Sequence, residues 1–450
     1  MLHLYPLAPL IMLLIALLAG APPANAQTPP HTVTPVPQTD ETHPILDLDE
    51  SPAGQRLGDA DDPAIWVHPD KPGRSRVIAT LKSGGLEVYD MKGEVVQSID
   101  SEPGKQSLRY NNVVVAYGFP FGGNSGRKAD LAVVTDREND QFVFYNIDPE
   151  TGTLENVTMP GLPRVFTEGD DAALEAQTTA YGLGLWKTPD DEFYAFVSRR
   201  STNVVAQFHL HPTDTGVAWE LVRTLTLPLV GGDPEESQVE GMVVDQELGI
   251  LYAGQEQFGI WRFDAAPDGS TEGTIVDRVA PEGQHLQPDV EGLTIYYADD
   301  GQGYLIASSQ GDQTFVIYDR QTNAYLASFT VEAPRGAATH TVEECDGADV
   351  VNVPLGPRYP KGLLVVQDGR NFPPFLAEDD GEIENVNTNF KFVRWDDLAR
   401  VIPGGLHIDT ESYNPRKPDF EDRDDEDDDD DDDDDTRTLS PFGQGAPGPR

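Results

Sequence analysis

Six polar residues recur at the start of similar apolar segments along this 450-residue chain. They are Asp62, Asn112, Tyr181, Glu240, Glu291 and Asp346, at intervals of 50, 69, 59, 51 and 55 residues. If these segments converge, carboxylates about 4 Å apart repel one another by roughly 4 kcal/mol at an effective dielectric constant near 20. Such a ring needs cations, and Ca²⁺, which prefers oxygen ligands, is the natural counter-ion.

A second set of polar residues follows the next apolar segment of each repeat. The set comprises Lys82, Asp136-Arg137, Arg199-Arg200, Gln255-Glu256, Ser309-Gln310 and Gln367-Asp368. The first three loops are basic and the later ones acidic or amide. A cationic half beside a metal-binding half suits a polyanionic ligand, because Lys and Arg hold phosphate oxygens by charge-assisted hydrogen bonds. Bridging metals also promote phosphoryl transfer.

The repeat itself predicts the elements that position these residues. Each unit has an apolar strand, a short polar loop and a strand ending in an aromatic residue, and the aromatics are Tyr89, Tyr145, Phe208, Phe263, Tyr318 and Phe392. Six units of about 55 residues predict an all-β fold, a six-bladed β-propeller. In such a blade the loop between the second and third strands lies on the same face as the start of the inner strand, so the two sets meet at one end of the channel.

The segments flanking the repeats suggest an exported protein. Residues 7–19 are apolar and precede Ala24-Asn25-Ala26, so we interpret residues 1–26 as a signal peptide and expect a secreted or periplasmic enzyme. An uncleaved membrane anchor is the alternative, since the n-region lacks Lys and Arg. We interpret residues 27–45 as a Pro/Thr-rich linker or first strand, residues 46–403 as the propeller and residues 404–450 as an acidic, disordered tail.

The composition of the chain limits the classes of partner that it can bind. The chain has 78 acidic and 31 basic residues and a formal charge of −47, which argues against nucleic acid and anionic membranes as partners. Its 38% of hydrophobic residues suffice for a large core. The single Cys345 excludes an intrachain disulfide and a cysteine-based zinc site, so any metal must be held by oxygen. We expect a monomer that binds a small polyanion.

The chain resembles the β-propeller (alkaline) phytases over roughly residues 46–400. The matching segments include D-A-D-D-P-A-I-W-V-H-P (59–69), N-N-V (111–113), V-E-G-M (239–242), H-L-Q-P-D-V-E-G-L-T-I-Y-Y (285–297) and D-G-A-D-V (346–350). The resemblance implies calcium-dependent hydrolysis of phosphomonoesters of myo-inositol hexakisphosphate (phytate) by attack of a calcium-bound water, and we expect the calcium salt of phytate to be the substrate. Several calcium ions are implied.

Site residues follow from the same resemblance, position by position. The metal ligands map onto Asp61, Asp62, Glu240, Glu256, Glu291 and Asp346, with the backbone of Pro63 and Val113 near the same ions. The phosphate-binding cations of the family map onto Lys82, Arg137 and Arg200. Catalytic roles fall on Glu240, Glu291, Asp346, Tyr181 and Arg137, and Asp289 also lies on a motif position.

The chain departs from the family pattern at Ser83, Val114 and Ala116, where the family commonly has Lys, an acidic residue and Arg. Two other hypotheses therefore stay open. One is a calcium-dependent propeller lactonase or phosphotriesterase-like hydrolase, whose uncharged substrate would not need the loop arginines. The other is a non-catalytic propeller that binds cations or a partner.

Overall fold

The structure, a computed structural model, describes residues 32–48, 56–100, 108–122, 126–334, 336–338, 340–379 and 382–418. Six antiparallel sheets surround a central channel, and the inner strand of each sheet packs against that of the next, with the sixth closing on the first. The predicted six-bladed β-propeller is therefore confirmed. The predicted signal peptide lies outside the described residues.

The first three blades each contain four strands, counted here from the channel outward. Blade 1 has Ala60–Trp66, Arg76–Leu81, Gly85–Tyr89 and Val95–Ile99; blade 2 has Tyr110–Phe121, Arg127–Asp136, Gln141–Ile147 and Leu154–Asn156; blade 3 has Ala180–Lys187, Phe193–Arg199, Val204–Pro212 and Val217–Thr226.

The last three blades follow the same order. Blade 4 has Val239–Asp245, Ile250–Gln255, Gly259–Asp264 and Thr274–Arg278; blade 5 has Val290–Tyr297, Gly303–Ser309, Thr314–Asp319 and Tyr325–Glu332; blade 6 has Ala348–Val351, Leu363–Asp368 and Asn387–Arg394. A hairpin of Leu376–Asp379 and Glu382–Asn385 is inserted before the last strand of blade 6, which explains the longest interval in the aromatic repeat.

The segment before the first blade closes the propeller. Val33–Pro37 adds a parallel strand to the edge of blade 5, while Asp40–Glu41 and Ile45–Leu46 pair with the outer strand of blade 6, and Arg56–Leu57 pairs with Ile45–Leu46. Of the two readings of residues 27–45, the described part therefore supports strands over a linker. The N-terminal segment thus pairs with the last blade and holds the two ends of the propeller together.

Part of the predicted disordered tail packs on the propeller. Residues 404–418, here called the strap, cross the end of the channel formed by the C-terminal ends of the inner strands. The Tyr413 ring is buried and stacks on Tyr297 with centroids 3.8 Å apart, and Arg416 donates to Val67 O and Asp130. The boundary predicted at residue 403 is thus too early, because the strap is held by separate contacts that leave no periodic pattern. Residues 419–450 lie outside the described part.

In the part of the chain that the structure describes, helices are few and short. The α-helices are Asp171–Glu175 and Trp395–Val401, and the 3₁₀ turns there include Pro72–Arg74, Glu235–Ser237, Asp299–Gly301 and Gln310–Asp312. Within the described ranges, no helix has the length and apolar character needed to span a bilayer. All six repeated aromatics are buried in the third strands of their blades, where they fill the space between neighbouring sheets.

Candidate active site

The central feature of the site is a β-bulge at the start of the inner strand in most of the blades. In blades 1, 3, 4 and 5 the pairing with the second strand shifts between Ala60 and Pro63, Ala180 and Leu183, Val239 and Met242, and Val290 and Leu293. A bulge places two consecutive residues opposite one and redirects their side chains. The first bulge residues and their equivalents in blades 2 and 6, here called the mouth ring, are Asp61, Asn111, Tyr181, Glu240, Glu291 and Asp346.

This register corrects the predicted ring in two blades. Asp62 and Asn112 were expected at the mouth, but the pairing places Asp61 and Asn111 there and puts the predicted residues one step further into the channel. The Asp62 carboxylate instead accepts a hydrogen bond from Val113 N at 2.9 Å. It lines a channel cavity of about 180 Å³ together with Pro63.

Glycine fills the second bulge position in the other four blades. A Cβ on Gly182 would overlap the carbonyl oxygen of Glu240, and one on Gly241 would overlap that of Glu291. The equivalent Gly292 and Gly347 face the backbone of the next blade in the same way. These glycines let neighbouring inner strands approach closely, so the mouth-ring side chains are forced together.

Hydroxyl groups on the second strands fix the bulges. The amide groups of Asp62, Asn112 and Gly182 donate to the hydroxyls of Thr80, Thr135 and Ser198 at 3.0, 3.2 and 2.8 Å, respectively. Thr135 also donates to Tyr181 O at 2.6 Å in the next blade. Each hydroxyl thus satisfies a backbone group that the bulge leaves unpaired. Those of Thr80 and Thr135 also link adjacent blades. The sequence reasoning missed this function, although a Thr or Ser recurs two residues before each basic loop position.

Three buried carboxylates form the acidic half of the site, here called the acidic triad: Glu240, Glu256 and Glu291. One oxygen of each lies within 4.8 Å of the others. Burial first, and then repulsion from neighbouring carboxylates, raises the pKa of each member, and raises those of Glu256 and Glu291 well above the ordinary range. The largest repulsion on Glu240 and Glu291 comes from Asp346, and that on Glu256 comes from Glu240. A cluster with this electrostatic strain favours binding of a cation.

Hydrogen bonds hold the acidic triad in place. Glu240 accepts from Asn111 Nδ2 at 2.7 Å and from the Tyr181 hydroxyl at 2.6 Å. The other two members each accept from a glutamine, Glu256 from Gln238 Nε2 at 2.7 Å and Glu291 from Gln310 Nε2 at 2.9 Å. The second oxygen of Glu256 is buried and has no hydrogen-bond partner in the part of the chain that the structure describes.

Lys82 lies inside the acidic ring. Its ammonium is 2.8 Å from Asp346, 3.3 Å from Asp59 and 3.6 Å from Asp61. Burial opposes the charged form, but these carboxylates outweigh burial and raise the pKa of Lys82 well above its ordinary value. The predicted phosphate-binding lysine is therefore also a counter-ion of the ring. Asp59, one of its partners, was not predicted from the sequence.

Asp61 provides the clearest test of whether the site fits a metal. It is fully buried, and neither of its carboxylate oxygens has a hydrogen bond among the described residues. Burial first, then repulsion from Glu240, raises its pKa well above the ordinary range, against the opposing charge of Lys82. Buried carboxylate oxygens without a hydrogen bond are suitable ligands for a hard cation such as Ca²⁺, so the donor set fits the implied ion.

The cationic half lies on the other side of Asn111. Arg137 is buried and donates from Nη1 to Asn111 Oδ1 at 2.9 Å, with its guanidinium carbon 5.8 Å from the Tyr181 ring centroid. Arg200 is half-buried on the next blade, where its amide donates to Thr179 O at 2.9 Å. Asn111 therefore connects an arginine to a triad carboxylate, a role that the sequence reasoning did not assign.

The loop residues beyond the second strands largely occupy equivalent positions, as predicted. Lys82, Arg137, Arg200, Glu256 and Gln310 follow their strands in the same register. Blade 6 differs from the prediction of Gln367-Asp368: Gln367 bonds to the backbone of Asp346 and Ala60, and Asp368 is buried against His340 and Lys391.

The remaining motif positions have local explanations. Asp289 accepts from Gln257, and burial, followed by repulsion from Glu236, raises its pKa. Val114 and Ala116 pack into the apolar cluster between blades 2 and 3, so neither presents a polar group at the mouth. Ser83 is exposed on the loop after Lys82.

Comparison with known proteins identifies the family to which the chain belongs. The 3-phytase of Bacillus subtilis (strain 168) is 37% identical over 382 residues, which cover 84% of this chain and 87% of that protein. Two solved structures also align with the chain. BBS1N in complex with ARL6DN has a TM-score of 0.38 and 9% identity, over 76% of this chain and 82% of that chain. The Myceliophteria thermophila Cps50 (Swd1) β-propeller domain has a TM-score of 0.37 and 11% identity, over 74% of this chain and 82% of that chain, and TM-scores this low do not support a conclusion about function. The family model of the phytases matches residues 12–423. The chain therefore belongs to the phytase family and is a phosphoric monoester hydrolase that acts on phytate.

Proposed function

We propose that this phytase depends on several calcium ions held at the mouth ring. The observation that carries the proposal is the acidic triad, three buried carboxylates beside an arginine that Asn111 connects to them. Asp61, Asp62 and Asp346 complete the candidate ligand set. When bound, calcium supplies positive charge that offsets these carboxylates, attracts phosphate oxygens and stabilises the charge developed in phosphoryl transfer.

The side chains of the chain itself orient the substrate. Arg137 and Arg200 provide planar guanidinium donors for phosphate oxygens. The Tyr181 hydroxyl donates a hydrogen bond to Glu240 at 2.6 Å, and this bond fixes its orientation at the substrate site. We expect Lys82 to bind phosphate only in the metal-loaded protein, because Asp346 otherwise holds its ammonium at 2.8 Å.

The test measures phosphate release from calcium phytate with added Ca²⁺ and with a chelator. We expect activity to disappear with the chelator and to return when calcium is restored. Glu291→Gln should lose most of the activity because it removes one triad charge, whereas Glu272→Gln, at an exposed site in the loop of blade 4, should behave as wild type. A rate that persists in the chelator would contradict the metal dependence.

The two other hypotheses become outcomes of the same experiment. Faster hydrolysis of a lactone or an uncharged phosphotriester than of phytate would favour the first, since Arg137 and Arg200 have no charge to match in such substrates. Tight phytate binding without phosphate release in the presence of calcium would favour the non-catalytic propeller.

Export and oligomeric state are further parts of the proposal. We expect residues 1–26 to be removed, because an apolar run precedes Ala24-Asn25-Ala26. Amino-terminal sequencing of the protein from its native host should then begin at Gln27, and an intact amino terminus in the membrane fraction would support the anchor instead. Size-exclusion chromatography with light scattering tests the expected monomer.

A further inference from the structure

Arg109 lies beside the cationic half without an assigned function. It precedes the inner strand of blade 2, and its backbone is held at two points: its carbonyl accepts from Arg137 N at 2.9 Å, and its amide donates to Asp136 Oδ1 at 3.1 Å. These bonds fix Arg109 next to Arg137 on the face that carries the mouth ring.

The guanidinium of Arg109 is half-buried and unmatched. Among the described residues it has no hydrogen bond and no ion pair within 4.0 Å, and its Nε is buried without a partner. Burial, then repulsion from Arg137, lowers the pKa of Arg109, against the smaller opposing effect of the carboxylates of Asp59, Asp61 and Asp47. By contrast, the buried Arg320 bonds both oxygens of Asp245 at 2.6 Å.

Arg137 likewise has a buried nitrogen without a hydrogen-bond acceptor. Nη1 is taken by Asn111, but Nε is buried and has no partner in the described chain. Two neighbouring guanidinium groups therefore repel each other while each retains a buried donor that nothing accepts. A buried donor without an acceptor is costly, and an anion between two cations removes both costs at once.

We propose that Arg109 is a further substrate-binding residue, which together with Arg137 holds a phosphate group of phytate. The proposal rests on the proposed function and extends it by one residue. Lys82 is matched by three carboxylates, whereas the arginine pair, Arg109 and Arg137, has no carboxylate within ion-pair distance among the described residues. The arginine pair thus retains hydrogen-bonding capacity that a phosphate group can use.

The experiment compares Arg109→Gln, Arg109→Lys and a matched control in the full chain, saturated with calcium. Arg74→Gln removes the same charge from an exposed turn on the opposite face. Losing a charge-assisted contact should raise the KM for phytate about 10-fold in Arg109→Gln with kcat within about twofold, and Arg109→Lys should recover part of the loss. The control should keep the wild-type KM, and inhibition by inorganic phosphate should weaken in Arg109→Gln alone.

An unchanged KM in Arg109→Gln would overturn the proposal. If the thermal stability of the chelated protein then fell in that variant but not in the control, Arg109 would be a counter-ion of Asp59 and Asp61 instead. A fall in kcat at constant KM would also overturn it. Failure of the proposed function appears separately, as a wild-type protein that releases no phosphate from phytate or is indifferent to the chelator.

Discussion

Glu240→Gln should stabilise the calcium-free protein and destabilise the calcium-loaded one. Two unit charges 4.8 Å apart repel by about 3.5 kcal/mol at an effective dielectric constant of 20, and Glu240 faces two such neighbours in the acidic triad. The substitution keeps the shape of the side chain. Its amide oxygen can still accept from Asn111, and its NH₂ group can donate to the Tyr181 hydroxyl oxygen.

Proton uptake limits the gain. Instead of enduring the repulsion, the wild-type triad can bind a proton, which at pH 7 costs about 3.7 kcal/mol for a glutamate with an ordinary pKa near 4.3 and at pH 5 about 1 kcal/mol. The pKa of Glu240 is raised by folding, so the stability it provides is present at low pH and lost as pH rises. We therefore expect the variant to gain about 3 kcal/mol at pH 7 and less than about 1 kcal/mol at pH 5.

Urea unfolding followed by tryptophan fluorescence measures these differences, because the chain has five Trp. Unfolding is compared in chelator and in saturating calcium, at both pH values, with Glu272→Gln as the exposed control. In calcium the sign should reverse, since a weaker site loses the stabilisation that binding provides. Equal destabilisation in chelator at both pH values would refute the reasoning, because it would mean that the hydrogen bonds of Glu240 outweigh its charge.

Three other outcomes follow from the same contacts. Gly241→Ala should lose most activity and bind calcium more weakly by calorimetry, because its Cβ overlaps Glu291 O, whereas Gly73→Ala on an exposed turn should not. Tyr413→Ala should cost about 3 to 5 kcal/mol in unfolding free energy by removing a buried ring stacked on Tyr297, with KM unchanged at the far end of the channel. The chelated wild-type protein should melt at a higher temperature at pH 5 than at pH 8, because folding raises the pKa values of the acidic triad.

The blades were predictable because a buried aromatic residue recurs once in each of them. A strand that ends in a ring such as Tyr89 or Tyr318 recurs at an interval that matches one blade, and packing between sheets requires a large side chain at that position. The strap was not predictable in the same way. Tyr413 and Arg416 each make their own contacts, and a segment held by isolated contacts has no period to detect.

The mouth ring was predictable in four blades and misplaced by one residue in two. In blades 3 to 6 the glycine that follows Tyr181, Glu240, Glu291 or Asp346 marks the second bulge position. Blades 1 and 2 have polar doublets, Asp61-Asp62 and Asn111-Asn112, whose members are chemically equivalent in the sequence. The choice between them depends on pairing with the second strand, which is a property of the folded sheet.

The doublets also explain how the two halves of the site are joined. The first residue of the doublet in blade 2 decides the chemistry: Asn111 is an amide, so it donates to Glu240 and accepts from Arg137 at the same time. A carboxylate there would repel Glu240, and a cation would repel Arg137. Only a group that is both donor and acceptor can stand between a metal-binding carboxylate and a phosphate-binding guanidinium, so an uncharged member of the mouth ring lets its acidic and cationic halves lie side by side.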